Sequence, residues 1–99
     1  DGSIPAYDLN TIHKYLKKVD GWNVKSDESK NFYLLKKFNF KNFVESQYFV
    51  NKIGTIAEEE NHHPDIKFGW GYCEVKIFTH AIKGLAESDF ILAAKIDKI

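Results

Sequence analysis

Between Asp8 and Val19 the apolar residues Leu9, Ile12, Leu16 and Val19 recur at intervals of three and four, with lysines on the other side. That period turns one stripe of an α-helix toward a core. Asp8 is placed to cap this helix and Gly21 to end it. "WNVKS" and "NFYLLKKFNF" then read as two strands around the polar turn "DESK", and so short a connection favours an antiparallel hairpin. From Asn42 to Asn61 the helical period returns, with Phe43, Val50, Ile53 and Ala57 on one face and Asn42 and Glu45 spaced like a capping box. Gly54 interrupts this helix at a cost of about 1 kcal/mol against Ala, which close packing would explain. Asn61 suits the helix-ending position, and Pro64 forbids continuation.

"DIKFGW" and "YCEVKIFTH" alternate as two more strands around Gly71. Ile66, Phe68 and Trp70 fall on one face of the first, Cys73, Val75 and Ile77 on one face of the second, and His80 closes it. A third helix is predicted from Ala86 to Ile99, with Phe90, Ala93, Ala94 and Asp97 at helical spacing. The order α-β-β-α-β-β-α predicts an α+β, two-layer fold: a four-stranded antiparallel sheet with about three helices on one face. The other face is left to solvent or to association, and the pattern does not determine strand order. No linker or low-complexity segment divides the 99 residues, so one domain, 1–99, is expected. Residues 1–5, which begin without Met, are expected to be a disordered or trimmed end.

Composition narrows the function classes. The chain is 43% hydrophobic, with eight Phe, five Tyr and two Trp to fill a core. It has no run of about 18–20 apolar residues and no basic-then-apolar leader, so no membrane association is expected. Cys73 stands alone in an apolar strand, which suits a buried, inert thiol in a reducing compartment such as the cytoplasm. Fourteen basic residues, all Lys and all scattered, balance fourteen acidic ones. Without Arg the chain lacks the bidentate clamp for phosphate or guanine, so no nucleic-acid partner is expected. A neutral small molecule or another protein fits better.

The four histidines are His13, His62, His63 and His80, two of them adjacent and against Pro64. Glu58 and His62 lie four apart at the end of the second helix, and His63 enters the third strand. The hairpin brings His80 back toward them, so Glu58, His62, His63 and His80 are expected to share one cleft. A polar helix end that merely satisfies carbonyls is the default for a single His, less so for an adjacent pair with a third nearby. A tetrahedral metal site is disfavoured because adjacent residues in extended chain point to opposite sides and HExxH-like spacing is absent. Acid–base chemistry needs only imidazoles that titrate near neutrality and a carboxylate to orient one of them. The chain has no Gly-rich phosphate loop and no strained serine elbow that would suggest otherwise.

Glu58, three residues, His62-His63-Pro64, five residues, Trp70, nine residues, His80, eight residues, Asp89: this 32-residue pattern resembles the signature of the pterin-4a-carbinolamine dehydratases. Weaker similarity runs from about Leu9 to Ile96, through Gly21-Trp22, "FNFKNF" and "THAIKGL". The resemblance implies dehydration of 4a-hydroxytetrahydropterin to quinonoid dihydropterin in tetrahydropterin recycling, without a cofactor. It implies His62 and His80 as the acid–base pair, without saying which is acid, His63 chiefly as a substrate-binding group, and Glu58 orienting His62 or holding its charge. Thr79 and Phe78, beside His80, are implied at the substrate; Phe78 stands where small polar residues are common in relatives. Trp70 is read evenly as pocket wall or core. Pro64 stops the helix and orients the His pair. Asp89, at the third position of the last helix, is read as structural, favoured there by the helix dipole. Ala86 replaces the Thr or Ser that commonly caps that helix, a loss of about 0.5–2 kcal/mol. The resemblance also implies a homodimer or homotetramer. Animal relatives double as dimerisation cofactors of a homeodomain transcription factor, which adds a protein-binding alternative and, with it, a nuclear location.

Overall fold

The computed structural model describes residues 4–99, so the expectation of a disordered end lies outside the described residues for positions 1–3. Helix α1 spans Leu9–Leu16, and the Asp8 side chain accepts from the Thr11 N–H at 2.9 Å as its cap. It ends earlier than its apolar spacing predicts; Gly21, at φ +76°, makes the turn into the sheet. Strands β1 (Asn23–Ser26) and β2 (Phe32–Asn39) form the predicted antiparallel hairpin. Helix α2 (Phe43–Glu60) is capped by Asn42, whose Oδ1 accepts from the Glu45 N–H at 2.9 Å. The Glu45 carboxylate reaches past Asn42 to the Lys41 N–H, so the reciprocal bond falls one residue outside the cap. Strands β3 (Asp65–Gly69) and β4 (Tyr72–Ile77), a 3₁₀ turn (His80–Ile82) and helix α3 (Glu87–Asp97) complete the chain.

The sheet order is β1-β2-β4-β3, antiparallel throughout. β4 is therefore internal, and α2 carries the chain across to β3 at the edge. Register sets the faces. Leu34 opposes Ile77, Phe38 and Phe68 both oppose Cys73, and Ile66 opposes Val75. These residues pack with Ile12, Ile53, Phe90 and Leu92 of the helices in one core. Their alternates, Tyr33, Leu35, Lys37, Glu74 and Lys76, form the open face, where the Lys76 ammonium lies 4.3 Å from the Tyr33 ring centroid. Charged stems over aromatic rings explain how that face tolerates water.

Several positions depart from the sequence pattern. Lys36 falls on the helix-covered face. Its ammonium is held there by Asp97 at 2.7 Å, beside the Trp22 and Phe38 rings. Asp97, which also accepts from the Trp22 indole N–H, thus sits in the apolar stripe of α3 because its partner does too. Phe43 is exposed and meets the Phe68 ring at a tilt at the edge of the core, not within it. Gly54 has open space where a Cβ would stand, so close packing does not account for it. Trp70 is neither core nor strand: it lies in the β3–β4 turn, 72% exposed.

Candidate active site

α2 ends in a left-handed Asn61 (φ 50°, ψ 41°), and the His62 N–H donates back five residues to the Ala57 carbonyl at 3.1 Å. This closure satisfies the last carbonyls of the helix and folds His62 under its end. Pro64 then holds the chain extended into β3. The two imidazoles consequently part. His62 turns inward and His63 outward, the former mostly buried and the latter more than half exposed.

Each imidazole meets its own carboxylate. His62 Nε2 stands 2.6 Å from Asp89 Oδ1, while His63 Nε2 pairs with Glu58 Oε2. Glu58 therefore serves His63; the expectation that it orients His62 is overturned, because the helix end swings His62 away from it toward α3. Asp89 is wholly buried. Its Oδ2 accepts from the Thr79 hydroxyl and from the Ala86 N–H, both at 2.8 Å. Ala86 has no side chain to offer α3, but Asp89 still supplies the reciprocal half of that cap. The buried carboxylate thus joins three segments: the end of α2 through His62, the exit of β4 through Thr79, and the start of α3. A carboxylate that accepts from Nε2–H fixes the neutral imidazole with its lone pair on Nδ1.

His80 does not close β4 as expected. The strand stops at Ile77, and His80 opens the 3₁₀ turn. Thr79 and Gly84 bridge the base of that turn, with Thr79 N–H to Gly84 O at 2.9 Å. Gly84 has no room for a side chain: a Cβ there would lie 2.8 Å from Ala6 Cβ. Phe78 packs on the His80 ring with centroids 4.2 Å apart. Both line an open cleft of about 520 Å³, with Lys83 and the loop residues Asp27, Ser29 and Asn31.

The structure thus links His62 to the segment carrying His80 through Asp89 and Thr79, and places His63 with Glu58. His62, His63 and Glu58 are not among the residues lining the His80 cleft. Thr79 spends its hydroxyl proton on Asp89. Trp70 lies at the far end of β3 from the His pair, roughly 15 Å of strand away, and stands outside the core. The sequence reading missed the Asp89–His62 pairing and the β1–β2 loop. Asp89 carried a signal, one of two acids with Glu87 in the first turn of α3, but the dipole sufficed to explain both. Backbone strain marks the same region. Among the described residues, the non-glycines at positive φ are Lys30 (66°), Asn61 (50°) and Lys83 (53°). Asn61 precedes His62, Lys83 lines the cleft, and Lys30 falls between its lining residues Ser29 and Asn31; such conformations tend to collect at functional sites.

A four-stranded antiparallel sheet backed by three helices, with a carboxylate-paired histidine at one end, defines the class as a two-layer α+β domain. The family model for pterin 4 alpha carbinolamine dehydratase matches residues 5–99. A Rubrobacter xylanophilus protein is 44% identical over 98 residues, covering 99% of this chain and 88% of its own length. A Rickettsia bellii protein is 47% identical, covering 98% and 83%. Both carry the name pterin-4-alpha-carbinolamine dehydratase provisionally. The chain belongs to the pterin-4a-carbinolamine dehydratase family. The crystal structure of a transcriptional coactivator/pterin dehydratase from Brucella melitensis shares the fold, with TM-score 0.82 and 24% identity over 94% of this chain and 96% of that one. So does a pterin dehydratase-like protein described as a RuBisCO assembly factor in the alpha-carboxysome, with TM-score 0.66 and 23% identity over 79% and 87%.

Proposed function

We propose that this protein dehydrates 4a-hydroxytetrahydropterin to quinonoid dihydropterin, with histidines as acid and base. The observation that carries the reading is the buried Asp89 carboxylate holding His62 on one oxygen and the Thr79 hydroxyl, next to His80, on the other. The elimination removes the proton from N5, forms the C4a–N5 double bond and breaks the C4a–O bond, the hydroxyl leaving as water. His62, whose Nε2 is held by Asp89 and whose Nδ1 is left to accept, takes the N5 proton. His80, on the more exposed side, delivers a proton to the departing hydroxyl. Solvent returns both imidazoles to their starting states. His63, paired with Glu58 at the surface, contributes to binding. General acid–base catalysis is typically worth about 10²–10⁴-fold.

The test is the decay of freshly generated 4a-hydroxytetrahydropterin, followed by ultraviolet absorbance. Wild type should accelerate it at neutral pH, and His62→Ala and His80→Ala should each lose most of the acceleration. A folded wild type without effect would sink the reading.

The outward face of α2 supports self-association, as a homodimer or homotetramer: Val44 is 69% and Tyr48 62% exposed, near the exposed Phe43 and Ile99. Apolar exposure of this kind marks association surfaces. The same face is what a protein-binding role would use, and a protein partner captured by a chain without dehydratase activity would favour that second reading.

A further inference from the structure

Thr79 is extended, with φ −105° and ψ 111°, so the alternation of β4 runs on past the end of the strand. Val75, Ile77 and Thr79 fall on the covered side, the last with its hydroxyl on Asp89. Phe78 and His80 flank Thr79 and fall together on the other side. The two rings meet there, with centroids 4.2 Å apart and planes tilted by 48°. The Lys76 ammonium, two residues earlier in the same alternation, lies 5.4 Å from the Phe78 centroid and 4.3 Å from that of Tyr33. Half-buried and packed against the core, Phe78 is itself held in place.

His62, His63 and His80 are oriented in different ways. The buried Asp89 carboxylate holds His62, and Glu58 holds His63. His80 is exposed, and among the described residues its ring pairs with no carboxylate. Its backbone is set by the 3₁₀ turn, where the Lys83 N–H donates to the His80 carbonyl at 3.2 Å. The side chain still has two bonds to turn about, and the Phe78 ring is what restrains it. A tilted aromatic pair shifts the balance between a held and a free ring by about 2- to 12-fold. A general acid acts only while its N–H points at the departing oxygen, so that balance enters the rate directly.

We propose that Phe78 is a positioning residue, which holds the His80 imidazole at the angle from which it delivers its proton to the departing hydroxyl. Its effect falls on turnover and not on binding. This rests on the dehydratase reading for the group that receives the proton.

The experiment compares wild type with Phe78→Leu and Phe78→Met, which keep apolar bulk without a ring, and with Phe78→Tyr, which keeps the ring. The bonds that close the 3₁₀ turn use backbone atoms alone, so these variants keep the turn. Steady-state dehydration of 4a-hydroxytetrahydropterin gives kcat and KM. Nuclear magnetic relaxation of the His80 ring, in protein carrying isotope-labelled histidine, gives the order of the imidazole without any substrate. His13, exposed on α1, serves as the comparison. The His80 ring should be more ordered than that of His13 in wild type and Phe78→Tyr, and should loosen in the two ringless variants. In those two kcat should fall about three- to tenfold while KM stays within about twofold, and Phe78→Tyr should retain kcat. Unchanged kcat, or a loss that falls in KM, overturns this inference and leaves the dehydratase reading standing. So does a His80 ring as mobile in wild type as in Phe78→Leu, with turnover intact. A folded wild type without turnover removes the dehydratase reading, and this inference falls with it.

Discussion

His62 Nε2 and Asp89 Oδ1 stand 2.6 Å apart, an imidazole at the end of α2 against a carboxylate at the start of α3. The neighbouring His63–Glu58 pair has the same chemistry in another setting. The side chains of the first pair are 17% and 0% exposed, those of the second 57% and 77%. Water screens the exposed pair, and such pairs contribute about 0–1 kcal/mol. The buried carboxylate instead has three donors and little solvent, so its loss affects both the fold and the imidazole it fixes.

Asp89→Asn should separate these two roles. The amide oxygen can still accept from Thr79 and Ala86, which preserves the fold. The amide nitrogen then donates to His62 Nε2 and reverses its tautomer, so kcat should fall by about 10²-fold or more. Asp89→Ala leaves the Thr79 hydroxyl and Ala86 N–H unpaired and should cost about 2–4 kcal/mol in urea unfolding. Retained kcat in Asp89→Asn would show that the carboxylate only holds the helix.

Glu58→Gln should change kcat by less than about threefold, with any larger effect in KM, because the pair it breaks is exposed. Steady-state kinetics decides. A loss of kcat comparable to that of His62→Ala would mean that Glu58 acts on the reacting atoms.

Gly54→Ala should stabilise the protein. No atom lies within 4 Å of the position a Cβ would take, and Ala gains about 0.5–1 kcal/mol over Gly inside a helix. Thermal unfolding should shift upward by about 2–8 °C. A downward shift that depends on protein concentration would mean that a second copy packs closely over this part of α2.

The helices, hairpins and one-sided core were legible because each rests on local periodicity and on stop signals such as Asn61 and Pro64. The strand order was not, since alternation says which face a residue takes but not which strand it joins. The histidines stood out by their spacing, but the cleft that His80 lines does not include His62, His63 or Glu58. The histidines' carboxylates were not legible: Glu58 is near His62 in the chain, but the left-handed Asn61 redirects His62 toward Asp89, 27 residues away. Trp70 failed for a similar reason. Its parity matched Ile66 and Phe68, but the hairpin turn began one residue early and left it in solvent. Lys36 and Asp97 could be placed only together, as each is tolerable on the covered face because of the other.

Alkaline pH should weaken the fold through two groups. Burial pushes the Cys73 thiol up to about 11 from an ordinary 9.0, and burial, with the Tyr15 hydroxyl adding to it, pushes the Tyr7 phenol up to about 12 from 10.0. In both, the folded state binds the proton more tightly than the unfolded chain. Their contribution is therefore fully present below about pH 9 and is lost as pH rises through 9 to 12. Urea midpoints measured from pH 7 to 11.5 should be level at first and then decline. Tyr7→Phe, which cannot ionise, should make the decline shallower above pH 10. Cys73, fully buried in register with Phe38 and Phe68, should resist a disulfide reagent at pH 8 and react fully once urea opens the core. Rapid labelling of the native thiol would instead mean that the β2–β4–β3 core opens readily.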